Sequence, residues 1–286
     1  MKNKRVSFLF FILFSCTSNP FWTDSGKNEL ALKGHVGAEN KVTDVPISIW
    51  VKTLDLYSIT NEDGSFHIPI NSTQSGVGSI SGHVYLYFFI HNYSLDSAVV
   101  YFSNGELSRD QTDFSEEGNL LKNIELKRIL SGEMKVHTLE NEFYAQDTVL
   151  VTFEINTHLP VEIDRYKFIW KDEYNFNSGL FFRSLTDKSI KVYRFSGTDE
   201  YGNNIEDQLE HISYSMNEVF TWNYYIATEQ LDLANGSYEI LPYFLIKHDY
   251  LPEGLIEELG GEPIFTPTEF YLDLPNDIDP DTLTIY

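Results

Sequence analysis

The strongest constraint on this chain is a repeated alternation of apolar and polar residues. In "TVLVTFEINT", Val149, Val151, Phe153 and Ile155 share one parity, and in "VFTWNYYIA", Phe220, Trp222, Tyr224 and Ile226 do the same. "DRYKFIWKDE" repeats the pattern with Tyr166, Phe168 and Trp170. Successive side chains of a strand point to opposite faces, so period two means strands with one buried face. Such faces must cover one another, and sheet-on-sheet packing is the simplest solution. The expected fold is all-β, with two consecutive antiparallel β-sandwich domains after an N-terminal targeting segment. The 21 Phe and 18 Tyr of the 286 residues supply core material suited to strands. With 1 Cys, no disulfide can form within the chain, so the cores carry the stability.

That cysteine, Cys16, ends the opening segment "MKNKRVSFLFFILFSC". A basic start (Lys2, Lys4, Arg5) precedes the apolar run "VSFLFFILF", which gives way to Ser15, Cys16 and polar residues. This is the layout of a secretory signal over 1–15. The run is too short to span a bilayer, which takes roughly 20 apolar residues. "LFSC" resembles the bacterial lipobox, with Leu13 at the third position before the cysteine and Ser15 beside it. The resemblance implies a mature chain that starts at a diacylglyceryl-modified Cys16, tethered by residues 16–29 to a membrane. The implied location is the bacterial cell envelope. Thr17, rather than aspartate, points to the outer membrane if the enterobacterial sorting rule applies. Trp22 would then rest at the membrane interface or belong to the tether.

Residues 30–130 form the first expected domain. "LKGHV" and "VPISIWV" alternate, and "LYSIT" and "SFHIPI" flank the turn "NEDG". Asp63-Gly64 between alternating runs predicts a hairpin, because glycine takes positive φ freely. The stretch resembles the carboxypeptidase regulatory-like domain, a transthyretin-like prealbumin β-sandwich. Gly34, Val36, Val45, Pro46, Ile47, Ile49, Thr60, Asp63, Gly64 and Phe66 carry the likeness. It implies Phe66 and Ile68 in the core, Ser65 and His67 outside, and a closing strand at "NIELKRI"; the motif is structural and brings no catalytic residue. The stretch from "NSTQ" to "YFS" yields no strand assignment by motif.

The second expected domain covers 131–275. "NGSYEI" resembles the late strand of immunoglobulin-like or fibronectin-like bacterial modules, which implies a second sandwich. One short helix is predicted in "LPEGLIEELGG", with Pro252 at its start and Gly260-Gly261 after it. Residues 276–286, with Asp277, Asp279 and Asp281 at alternate positions, are expected as an acidic tail.

Charge narrows the partners. With 43 acidic and 20 basic residues the net charge is −23, which repels nucleic acid and bare anionic headgroups. No G-x-S-x-G, H-E-x-x-H, Walker loop or G-x-G-x-x-G occurs. His35, His67, His83, His91, His137, His158, His211 and His248 stand singly, and His35, His67 and His137 are read as solvent-facing strand residues. The C-terminal aspartates lack the glycine and twelfth-position glutamate of an EF-hand, and a tail is preferred over a calcium loop. Among the aromatics, Trp50, Trp170, Trp222, Tyr193 and Tyr225 are candidate sugar platforms, and core or edge packing is the simpler role for each ring. The expected role is a non-catalytic envelope lipoprotein, a binding or structural module holding a protein or glycan partner. The alternatives are a carbohydrate-binding accessory protein, distinguished by exposed coplanar rings on one sheet, and an enzyme of unknown class. No catalytic, cofactor-binding or metal residue is expected; the single assigned site is lipidation of Cys16.

Overall fold

The structure, a computed structural model, describes residues 30–40, 46–70, 80–108, 112–138, 148–166, 170–171, 176–177, 180–192, 209–227, 231, 233–242, 244–248, 250–260 and 278–286. The expected signal segment, Cys16 and the tether lie outside the described residues. The fold is all-β. The first half holds β1 (Ala31–Ala38), β2 (Ser48–Val51), β3 (Leu56–Ile59), β4 (Ser65–Pro69), β5 (Gly82–Phe89), β6 (Asp96–Ser103), β7 (Glu106–Leu107) and β8 (Ile124–Leu126). The second half opens with β9 (Leu130–Thr138), β10 (Thr148–Thr157), β11 (Val161–Tyr166), β12 (Trp170–Lys171), β13 (Phe176–Asn177), β14 (Leu180–Ser184) and β15 (Ile190–Val192). It continues with β16 (Leu209–Tyr214), β17 (Val219–Ala227), β18 (Gly236–Pro242), β19 (Phe244–Ile246), α1 (Glu253–Glu258), β20 (Ile278–Asp279) and β21 (Asp281–Ile285).

In the first half, a three-stranded sheet in the order β4-β1-β8 faces a five-stranded sheet in the order β3-β2-β5-β6-β7. Leu32, Val36, Phe66 and Ile124 from the smaller sheet pack in one core with Ile49, Val84, Leu86, Phe88, Val100 and Phe102 from the larger. Phe66 meets Phe88 with ring centroids 5.8 Å apart. The closing strand β8 pairs with β1 in parallel.

The turn at Asp63-Gly64 is present but does not make the expected hairpin. Gly64 has φ +84, and a Cβ there would lie 2.3 Å from the Val36 carbonyl oxygen, so glycine is required. Yet β3 pairs with β2, whereas β4 pairs with β1. The turn therefore carries the chain from one sheet to the other. A turn motif fixes local backbone geometry only; which partners its flanks choose is decided by the long-range pairings that bury Phe66 and Ile68.

The second half has a core of its own. Four-stranded sheets in the orders β17-β10-β9-β20 and β15-β14-β18-β21 and a three-stranded sheet β16-β11-β19 surround it. The rings of Phe153, Trp222 and Phe244 form a mutual cluster with centroids 5.6 to 5.8 Å apart. Val149, Val151, Phe153 and Ile155 are buried, as their parity requires. The run "LPYFLI" splits: β18 ends at Pro242 and β19 begins at Phe244 in a different sheet. Proline has no N–H to continue a ladder, which marks the end of the first strand. The expected acidic tail is instead strand. Asp281–Ile285 pairs with Gly236–Ile240 of β18, and Ile278–Asp279 pairs in parallel with Gly132–Glu133 of β9. Leu283 enters the core between Thr282 and Thr284, so the alternation in "DTLTI" outweighs the spacing of its acids.

The chain passes between the cores at 127–130, where the β5–β6 connection straps it. Asn92 is fully buried at φ +63, a conformation asparagine tolerates better than most residues. Its Nδ2 donates to the Leu130 carbonyl at 2.9 Å, and its Oδ1 accepts from the Leu130 N–H at 3.1 Å. Its own carbonyl accepts from the Ile129 N–H at 2.9 Å. Beside this strap, α1 packs on the first half: Leu255 is buried against Trp50 and Phe89. A Cβ on Gly254 would lie 2.2 Å from the Trp50 indole, so only glycine allows the helix this close. His248 completes the junction, its ring edge-on to Phe89 at 4.9 Å and 5.9 Å from His91. The residue as a whole is half-buried, but its Nε2 is shut from solvent without a hydrogen-bond partner.

Two outcomes follow from this junction. Asn92→Ala should lower stability by about 2–4 kcal/mol, since it orphans two buried backbone groups and strains a left-handed residue; urea unfolding of the full chain reads this directly. Burial lowers the His248 pKa from 6.5 to about 4. Because the folded value lies below the unfolded one, the unfolded chain takes up the proton first as pH falls. Stability attributable to neutral His248 is therefore fully present above about pH 6.5 and is lost down to about pH 4, by about 3 kcal/mol at most. Comparing wild type with His248→Leu across this window isolates the contribution from that of the carboxylates, and parallel stability curves would refute it.

Candidate functional site

The outward face of the five-stranded sheet is built from the residues that parity turns away from the first core. Ile49, Val51, Leu86, Phe88, Val100 and Phe102 point inward, so their neighbours Trp50, Tyr85, Tyr87, Phe89, Val99 and Tyr101 point outward. Strand register then sets rows across the sheet. Trp50 lies opposite Tyr57 on one side and Tyr87 on the other, and Tyr87 opposite Ser97. Tyr85 lies opposite Val99, and His83 opposite Tyr101, with their rings 4.9 Å apart.

Helix α1 covers the middle of this face. Trp50 is 4% exposed and Phe89 3%, whereas Tyr85 is 45% and Tyr57 38% exposed. The face is thus open at two ends. At the first, the Tyr57 hydroxyl is 3.0 Å from Ser48 Oγ, Ile59 is exposed, and a groove of about 600 Å³ is lined by Pro46, Ile59, Thr60, Asn61, Glu62 and Asp63. The Asp63 carboxyl is held below its usual pKa, chiefly by hydrogen bonding to the Ser65 side chain and backbone N–H. The second end carries Tyr85, Tyr101 and His83. Lys52 stands beside it, exposed, its backbone N–H donating to the Tyr85 carbonyl at 3.0 Å. Asp113 lies at the β6 edge, where its Oδ2 accepts from the Val99 N–H at 2.8 Å.

One charged cluster lies on the three-stranded sheet of the second half. Asp164, with its side chain 10% exposed, sits 2.5 Å from His211 Nδ1 and 3.3 Å from Lys247 Nζ. Asp164 and His211 are register partners on β11 and β16, so the cluster is a cross-strand arrangement that compensates a buried carboxylate. Among the described residues, no three His, Cys, Asp or Glu side chains gather as metal ligands.

The residues singled out in the sequence are distributed as follows. Trp222 is buried, its Nε1 donating to the Tyr214 hydroxyl at 3.3 Å, and Trp50 is buried under α1. Tyr193 lies outside the described residues, as do the side chains of Trp170 and Tyr225. His35, His67 and His137 are exposed. Asp277 lies outside the described residues, Asp279 is exposed, and Asp281 accepts through Oδ2 from the Val136 N–H at 2.8 Å. Sequence reasoning missed Tyr57, Tyr85 and Tyr101. The signal was available: "HVYLYFF" and "AVVYFS" place aromatics on the parity opposite the Val84-Leu86-Phe88 and Ala98-Val100-Phe102 sets.

No family model matches the chain, and no curated protein matches it. Among solved structures it is similar to a "putative carbohydrate binding protein" from Bacteroides uniformis, at 11% identity and TM-score 0.27, over 77% of this chain and 91% of that one. It is also similar to a DUF3823 family protein from Bacteroides ovatus, at 12% identity and TM-score 0.24, over 77% and 91%. The major pilin subunit of Bacillus cereus aligns over 90% of this chain and 95% of its own, at 11% identity and TM-score 0.24.

Proposed function

We propose that this chain is a non-catalytic lipoprotein of the bacterial cell envelope, a binding module that holds a partner against its first sandwich. The observation that carries the reading is the outward aromatic face, open at Tyr57 and Tyr85 although the fold has rings enough to fill two cores. Large exposed side chains grouped on one sheet face are a feature of contact surfaces. The reading divides the chain into two domains near residue 130, the second extending through β21. The strap at Asn92 and the packing of α1 on Trp50 hold them in one arrangement, so the face is presented in a fixed direction.

The anchor in this reading is the lipid on Cys16, which places the domains beyond a polar tether at the membrane. Outer-membrane sorting follows from Thr17 if the enterobacterial rule applies. The carboxypeptidase regulatory-like and immunoglobulin-like resemblances fit the role, since neither brings catalytic groups. Mass spectrometry of the native protein from membranes should find an N-terminal diacylglyceryl peptide starting at Cys16. Cys16→Ser should abolish that peptide and release the protein to the soluble fraction. An unmodified chain that stays membrane-bound after Cys16→Ser would contradict the anchor.

A further inference from the structure

Resting on the binding reading above, we propose that the Tyr85 end of the outward face binds a neutral glycan. Its residues are Tyr85, Tyr101, His83 and Lys52. Tyr85 and the His83–Tyr101 pair project from adjacent strands on one face, the pair's rings tilted by 59° to each other and therefore offering separate contacts instead of one coplanar platform, and Tyr85 is 45% exposed. A half-exposed ring rests one side on its neighbours and leaves the rest free to stack. A pyranose offers the matching chemistry: an apolar C–H face for the ring and hydroxyls at its rim for Lys52 and the tyrosine hydroxyls.

Charge and area choose among occupants. The chain carries −23, which opposes a polyanionic partner. At the Tyr85 end the outward residues are two tyrosines and a histidine, with Lys52 exposed alongside and the Asp113 carboxylate accepting from the Val99 N–H at the β6 edge. A cationic partner would meet the like charge of the exposed Lys52 at this end. The Tyr57 end, by contrast, borders Glu62 and Asp63. A stable protein interface buries about 800 Å² per partner. Tyr85 and Tyr101 at partial exposure offer on the order of 100–200 Å², and α1 already occupies the middle of the face. An area of that size suits one or two sugar rings.

The test uses the full chain carrying Cys16→Ser, run on native gels cast with galactomannan, xyloglucan or amylopectin, and with polygalacturonate as the acidic control. Retardation by at least one neutral polysaccharide and none by polygalacturonate is expected. Tyr85→Ala and Tyr101→Ala should each weaken it by at least about tenfold with an unchanged melting temperature, and Tyr85→Trp should retain it. No retardation by any neutral polysaccharide, or retardation indifferent to both alanine variants, would overturn the proposal. Pull-down on isolated envelopes separates this failure from that of the broader reading. Protease-sensitive capture that depends on Tyr85 would leave the face as a binding surface and overturn the glycan. Absence of any Tyr85-dependent capture from envelopes and polysaccharides alike would overturn both.

Discussion

The side chain of Asn92 holds both the Leu130 N–H and its carbonyl, and the arrangement of the molecule depends on that pair of hydrogen bonds. Two separate hydrophobic clusters could each satisfy their own strands and leave the connection between them loose. The asparagine removes that freedom by taking up backbone groups at the point where the chain crosses. Leu130 starts β9, so its position sets the register of the sheet that buries Phe153. The Ile129 carbonyl accepts from the His158 and Leu159 N–H groups, which ties the same crossing to the second core. From there the chain folds back through β19 to α1, whose Gly254 lets the helix close on Trp50.

Much of this was legible in the amino-acid order. The alternation at 149–155 and at 220–226 identified strands and their buried faces, because a strand's period is set by backbone geometry alone. The helix at 253–258 was marked by Pro252 and the glycines after Leu259. Gly64 was correctly read as a turn residue, but a turn does not specify which strands its flanks join, and here they join different sheets. The C-terminal residues misled because three aspartates drew attention from the Leu283 and Ile285 alternation. The junction was not legible. Asn92, His248 and Gly254 each act on residues distant in sequence, through contacts across 38 residues or more.

The proposed binding surface was partly legible in the same sense. The question of exposed coplanar rings on one sheet was posed by the aromatic content; the strand register turns Tyr57, Tyr85 and Tyr101 outward in place of the tryptophans, with the His83–Tyr101 pair tilted by 59° and not coplanar. Tryptophan is the larger stacking ring, yet Trp50 is spent on docking α1 and Trp222 on the second core. Tertiary packing consumed the strongest candidates and left the tyrosines outside. In a chain with 43 acidic residues, a sheet face built mainly of neutral rings stands out from the rest of the surface.

The most direct test of the account is contact in place. A photoreactive phenylalanine at position 85 of the full chain, irradiated in native membranes, reports what touches the outward face. A second copy of the experiment at position 216, exposed in the second half at Met216, serves as the control. The account predicts cross-links from position 85 to a component other than this chain, and none of that species from position 216. Equal labelling from both positions, or none from position 85, would contradict a binding role for the aromatic face.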